Sequence, residues 1–172
     1  GTRELQYGLS VHRDEFGIYK GTFWSPDGNR LAFYRMDQSM VKDYPLVDID
    51  TRIATEDPIK YPMAGETGHE VTIGVYHLDS GHTTYLKAGN PKDRYFTNIQ
   101  WSPDGKKIYL IEVNRDPTDM SLDRYDATTG VKEATLYTEH HDKYVHPVTA
   151  ITFLPWDSEK FILQSEKDGF NH

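Results

Sequence analysis

The chain has 172 residues, 37% of them hydrophobic and 13% aromatic, with a formal net charge of −8, so it is long enough for one domain with its own core. The acidic balance argues against a nucleic-acid binder working through the phosphate backbone, and no apolar run reaches the length of a membrane span. The absence of cysteine excludes disulfides, thiol nucleophiles and Cys-ligated zinc, and leaves the compartment open.

In chain order, residues 1–11 start abruptly, with neither a cap nor a polar tail, and read as the trailing end of an element already under way. His12-Arg13-Asp14-Glu15 then places two carboxylates just before a half-buried strand pattern. Residues 19–24 and 30–36 flank Ser25-Pro26-Asp27-Gly28, where Pro presets φ and Asp-Gly tolerates the left-handed turn position; this is a β-hairpin signal. Residues 37–69 hold Pro45, Pro58 and Pro62 with little alternation and read as a long insertion between the second and third strands of a unit. Such insertions are usually functional or contact-making. Within it, Tyr61-Pro62-Met63-Ala64-Gly65 reads as a rigid turn or as a contact loop over a pocket. Residues 75–86 form a second hairpin type around Asp79-Ser80-Gly81.

The pattern then recurs. Gln100-Trp101-Ser102-Pro103-Asp104-Gly105 repeats Phe23-Trp24-Ser25-Pro26-Asp27-Gly28 at a spacing of 77 residues. Asp126-Ala127-Thr128-Thr129-Gly130 repeats the second hairpin, and a degenerate third copy runs from Thr152 to Leu163 around Pro155-Trp156-Asp157. Four strands per repeat is the pattern of a β-propeller blade. The predicted fold is all-β: a partial propeller of about two full four-stranded blades and part of a third. Its divisions are 1–18 (end of a preceding blade and the acidic loop), 19–88 (a blade with insertion 37–69), 95–138 (a blade) and 146–172 (the start of another). The rival fold is a stand-alone antiparallel sandwich with internal repeats. Helix is expected to be sparse.

For Asp14 and Glu15 the alternatives are a solvated turn or a carboxylate site facing the propeller cavity. A peptide α-amino group, with a reference pKa of about 7.7–8.0, is a suitable cation for such a site. Glu139, His140, His141, Asp142 and His146 supply metal-ligand types at a spacing that fits no tight zinc pattern, so the segment reads as a solvated loop; no metal and no cofactor is expected. No Ser lies in a Gly-x-Ser-x-Gly elbow. Ser80 sits in a hairpin turn, Ser25 and Ser102 belong to the repeated turns, and Gly17-Ile18-Tyr19-Lys20-Gly21 lacks the form of a phosphate loop.

His12-Arg13-Asp14-Glu15-Phe16-Gly17, Gly21-Thr22-Phe23-Trp24-Ser25-Pro26 and Ala32-Phe33-Tyr34-Arg35-Met36-Asp37 resemble the propeller of dipeptidyl peptidase IV-like serine exopeptidases, most closely the bacterial prolyl tripeptidyl aminopeptidase branch. Tyr61-Pro62-Met63-Ala64-Gly65, Thr97-Asn98-Ile99-Gln100-Trp101-Ser102-Pro103 and Gln164-Ser165-Glu166-Lys167-Asp168-Gly169-Phe170-Asn171-His172 continue the likeness to the end of the chain. The resemblance implies an eight-bladed propeller joined to a C-terminal α/β-hydrolase domain that carries a Ser-Asp-His triad. That domain lies outside these residues, so the chain alone is expected to be inactive. It further implies release of N-terminal di- or tripeptides after proline, with the propeller binding the substrate's free amino terminus and gating access to the catalytic domain. The anchor carries over onto Glu15 by its place before Phe16, with Asp14 second, since neighbours on an extended segment face opposite ways. The dipeptidyl branch has a glutamate pair here, whereas Arg13 and Asp14 stand beside a single Glu, which leans towards tripeptide release. The implied partners are an unblocked peptide with proline before the cut and the hydrolase domain. Uncovered blade edges add an expectation of self-association. The implied location is periplasmic, cell-surface or secreted. The alternative is a non-catalytic propeller serving as a binding or scaffold module.

Overall fold

The computed structural model describes residues 1–172 and shows an all-β partial propeller. The first sheet begins with β1 (Leu5–Tyr7) and β2 (Thr22–Trp24), both antiparallel to β3 (Arg30–Asp37). Beyond β3 come four short strands: β4 (Asp43–Tyr44), β5 (Val47–Asp48), β6 (Thr55–Glu56) and β7 (Ile59–Lys60). The sheet resumes with β8 (Glu70–His77), paired to β3, and β9 (Thr83–Tyr85), paired to β8. The second sheet is a four-stranded meander of β10 (Arg94–Trp101), β11 (Lys107–Asn114), β12 (Asp119–Asp126) and β13 (Lys132–His140). A hairpin of β14 (Thr152–Leu154) and β15 (Asp157–Ile162) follows.

The repeated turns are locally determined. Ser25 Oγ donates to Asp27 Oδ1 at 2.5 Å and accepts the Arg30 amide at 3.0 Å. Ser102 does the same with Asp104 at 2.6 Å and Lys107 at 2.9 Å. Each serine therefore closes its hairpin, which accounts for the duplication without any chemical role.

The core lies between sheets. Ala32, Tyr34, Val71, Ile73 and Val75 of the first meet Phe96, Ile99, Trp101, Ile108 and Leu110 of the second. On the far face of the second sheet, Tyr109, Ile111, Val113, Met120 and Leu122 pack with Val145 and Ile151. This explains the unbroken apolar run of β11: both of its faces are buried, as in the interior blade of a stack. Position within the stack also separates the two repeat tryptophans. Trp101 is 4% exposed and its indole N–H donates to the Phe23 carbonyl at 2.9 Å, whereas Trp24 is 57% exposed.

Several local features differ from the sequence expectations. Leu5–Tyr7, read there as preceding the first blade, pairs with Arg35–Asp37 of that blade. The first hairpin strand covers only Thr22–Trp24, because the residues before it belong to a loop. The insertion is itself a β-arm, with β4 paired to β7 and β5 to β6; ladders of two residues leave no alternation to read. Glu139 and His140, read as loop, end β13.

Candidate functional site

β1 and β2 are two halves of one edge strand. Their partners run continuously down β3, from Asp37–Arg35 for β1 to Phe33–Leu31 for β2. Tyr34 bridges the gap, accepting from Gly8 N–H at 2.8 Å and donating to the Gly21 carbonyl at 3.0 Å. Residues 9–20 are thus expelled as a loop from the edge strand of the blade. The neck is glycine-dependent: a Cβ on Gly21 would lie 2.1 Å from the Leu9 carbonyl oxygen. The second blade carries only a register shift between Thr97 and Gln100 at the matching place, with Asn98 at φ 54°.

The loop tip is a short 3-10 segment, His12–Gly17. His12, Arg13, Asp14 and Phe16 all have φ between 52° and 63°, while Glu15 is extended at φ −60°, ψ 157°. Left-handed non-glycine residues cost about 1–3 kcal/mol each and persist only when their surroundings over-determine them. The surroundings here are explicit. His12 and Phe16 are each 7% exposed and pack against Tyr95 at 4.8 and 5.2 Å between ring centroids. The Asn98 amide donates to the carbonyls of Phe16 and Pro147 at 3.1 and 2.7 Å. Arg13 lies over the Tyr61 ring of the arm at 4.0 Å.

Asp14 and Glu15 are both exposed and line one cleft of about 600 Å³, whose other walls include Lys60, Glu66, His69, Glu70, Tyr95 and Arg115. The opposite-face alternation expected of an extended segment does not hold, because the segment is coiled. Neither carboxylate makes an ion pair or a side-chain hydrogen bond. Three of the cations around them are engaged elsewhere: Arg94 with Glu112, Lys60 with Asp43 at 3.2 Å, Arg115 with the Tyr95 hydroxyl at 3.1 Å. Two carboxylates without a partner on a pre-shaped loop can accept hydrogen bonds from a cation with several N–H donors.

Behind them, His12 Nδ1 and His69 Nε2 are 3.0 Å apart with stacked rings. Burial, then His69 and Arg115, lower the His12 pKa to about 3. Burial, then Arg115 and Arg13, also lower that of His69. The pair is therefore neutral at physiological pH, and one imidazole donates to the other. Sequence reading does not find this pair, since its members are separated by 57 positions in unrelated patterns. It also misses the role of Asn98, which lies in a stretch that carries the family resemblance but gives no sign there of its bonds to Phe16 and Pro147.

The histidine-rich segment disperses. His140 pairs with Asp119 at 2.7 Å, which raises its pKa. The His141 ring accepts the Lys143 amide at 3.1 Å, and His146 packs near Phe16. Glu139 turns inward, accepting from Ser165 Oγ at 2.6 Å and the Tyr137 hydroxyl at 3.0 Å. It ties the Gln164–His172 tail to the second blade.

The same fold occurs in known proteins. The family model "Dipeptidyl peptidase IV (DPP IV) N-terminal region" matches residues 1–172. A Phaeosphaeria nodorum protein assigned as dipeptidyl-aminopeptidase B is 31% identical over 140 residues, covering 71% of this chain and 15% of its own length. A counterpart in Uncinocarpus reesii is 26% identical over 198 residues, covering 100% of this chain and 22% of its own. A Bacteroides ovatus crystal structure assigned as a dipeptidyl aminopeptidase IV superposes with a TM-score of 0.97 at 56% identity, over 100% of this chain and 24% of that one. Porphyromonas gingivalis dipeptidyl peptidase 4 gives 0.86 at 26% identity, over 99% and 24%. The chain thus spans between 15% and 24% of the length of these relatives. None of its helices is long and apolar enough to cross a membrane.

Proposed function

The chain belongs to the dipeptidyl peptidase IV N-terminal-region family, and from that premise we propose that it is the substrate-anchoring part of the propeller of a proline-specific serine exopeptidase. The observation that carries this reading is the pair Asp14 and Glu15, both on one cleft and both unpaired. The α-amino group of a peptide is mostly protonated at neutral pH and offers three donors. Held by Glu15, with Asp14 beside it, it fixes where the chain enters relative to the scissile bond. That bond is cut by an α/β-hydrolase domain of the parent protein, to which the propeller controls access. Anchoring the terminus is a positioning effect: it lowers the entropy of the reacting complex rather than taking part in bond chemistry.

The number of residues released is set by the distance from anchor to nucleophile, two or three in this family. With Asp14 on the same cleft as Glu15, the ground for favouring three over two is weakened. The test is the parent protein's turnover of two peptides that differ only at the amino terminus. A free terminus with proline before the cut is expected to be processed and its acetylated twin to be poor. Equal turnover of the two sinks the reading. The compartment we propose, periplasm, cell surface or exterior, rests on the resemblance alone.

Self-association of the 172-residue chain is part of the same proposal. Tyr19 and Trp24 are 82% and 57% exposed beside a groove also lined by Phe23, Ile99 and Val148. Uncovered apolar edges of this kind recruit a second surface. Light scattering is expected to show species larger than a monomer, and a strictly monomeric chain contradicts it.

A further inference from the structure

The acidic loop carries strain and cannot hold its own shape. Four of its residues sit in the left-handed region without being glycine, and its two carboxylates have no partners that would fix them. Its neck on β3 fixes where the loop leaves the strand, not how its tip is turned. The tip is held by three outside elements: Asn98 through the Phe16 carbonyl, Tyr95 through ring packing, and the foot of the arm. The last supplies two contacts. Tyr61 lies under Arg13 at 4.0 Å, and His69, the residue immediately before β8, hydrogen-bonds His12 at 3.0 Å. Arg13 and His12 are the two residues directly preceding Asp14. The arm foot therefore grips the loop beside the carboxylates without touching them.

We propose that His69 is a positioning residue for the amino-terminus anchor: its hydrogen bond and stacking on His12 hold the left-handed turn that aims Asp14 and Glu15 into the cleft, so the arm supports substrate recognition from its foot. This rests on the reading of Glu15 and Asp14 as the ammonium site. The hydrogen bond acts on His12, at the start of the tip, whereas Asn98 holds Phe16 near its end, so its loss frees the start of the tip while the blade core stays intact. His12 is also left with a buried Nε2 that has no partner, which makes its one bond, to His69, the only polar restraint on that ring.

The test uses the full-length peptidase and an unblocked peptide ending in a chromogenic leaving group. His69→Leu, which removes the bond and keeps an apolar group, is expected to raise KM about tenfold with kcat within twofold. His69→Gln, which retains an amide able to donate or accept, is expected to bring KM back to within threefold. The residual turnover of the acetylated peptide falls by less than that of the unblocked peptide in both. A merely structural role would instead lower kcat for both peptides together, and that result, or an unchanged KM, overturns the proposal. Should His69→Leu not fold, His69→Phe takes its place, since its ring keeps the stacking on His12 and lacks the hydrogen bond; a KM rise of about threefold supports the proposal and no rise overturns it. Glu15→Gln run alongside separates the two failures. A KM effect in Glu15→Gln alone defeats the His69 proposal, whereas no effect in any variant defeats the anchor itself.

Discussion

Replacing Glu15 by Gln in the full-length peptidase is expected to raise KM for an unblocked peptide by at least tenfold while leaving kcat nearly unchanged. The carboxylate has no internal partner to lose, so the substitution removes only what it offers a ligand. A charge-assisted hydrogen bond to a partly desolvated ammonium contributes about 1.5–3 kcal/mol, which corresponds to roughly 10- to 150-fold in affinity. Asp14 remains on the same cleft and keeps some negative potential there, placing the effect towards the lower end. Because the amino terminus lies away from the reacting bond, the interaction is the same in ground and transition states, and its loss appears in KM. The acetylated peptide has no ammonium and should show no difference between the two proteins. A KM unaffected by Glu15→Gln removes Glu15 from the site.

The second large effect is expected from Gly21→Ala. A Cβ there would sit 2.1 Å from the Leu9 carbonyl oxygen, 2.3 Å from its carbon and 2.4 Å from the Gly8 carbonyl carbon. All three are backbone atoms and cannot swing aside. The neck has to open, which costs the hydrogen bonds that Gly8 and Gly21 share with Tyr34 in addition to the strain of moving the chain. A loss of about 3 kcal/mol or more follows, beyond the ordinary range for a small overpacking change. Gly28→Ala is the control: unlike Gly21 it has a positive φ, +71°, and it meets nothing within 4 Å, so it bears only the left-handed penalty of about 1–2 kcal/mol. Chemical unfolding should rank Gly21→Ala well below Gly28→Ala, and KM for unblocked peptides should rise only in the former. Equal losses would mean that the neck is not the constraint described.

What could be read from the chain, and what could not, follows from the range of each interaction. The Ser-Pro-Asp-Gly turns are complete within six residues, with Ser25 closing on Arg30 and Ser102 on Lys107, so the repeat and the blade were visible in sequence. The position of Asp14 and Glu15 followed from the resemblance, but their relative orientation did not. Alternation applies to extended backbone, and no local propensity forecasts left-handed φ at His12, Arg13, Asp14 and Phe16. The residues that contact it, Tyr95, Asn98 and His69, all lie far along the chain. β1 was invisible for the same reason: three residues, Leu5–Tyr7, gain their identity from pairing with Arg35–Asp37. The arm was visible as an insertion through its prolines, while its ladders of two residues are too short to carry a period.

One contact is central to the proposed function, that between the substrate's amino terminus and the Glu15 carboxylate. The most direct measurement is a crystal structure of the full-length protein holding an uncleaved, unblocked peptide. The expected result places the peptide ammonium in the cleft beside the loop, its nitrogen about 2.7–2.9 Å from a Glu15 carboxylate oxygen, as for a charge-assisted hydrogen bond, with Asp14 alongside. A peptide bound with its amino terminus elsewhere, and Asp14 and Glu15 left solvated, would contradict it.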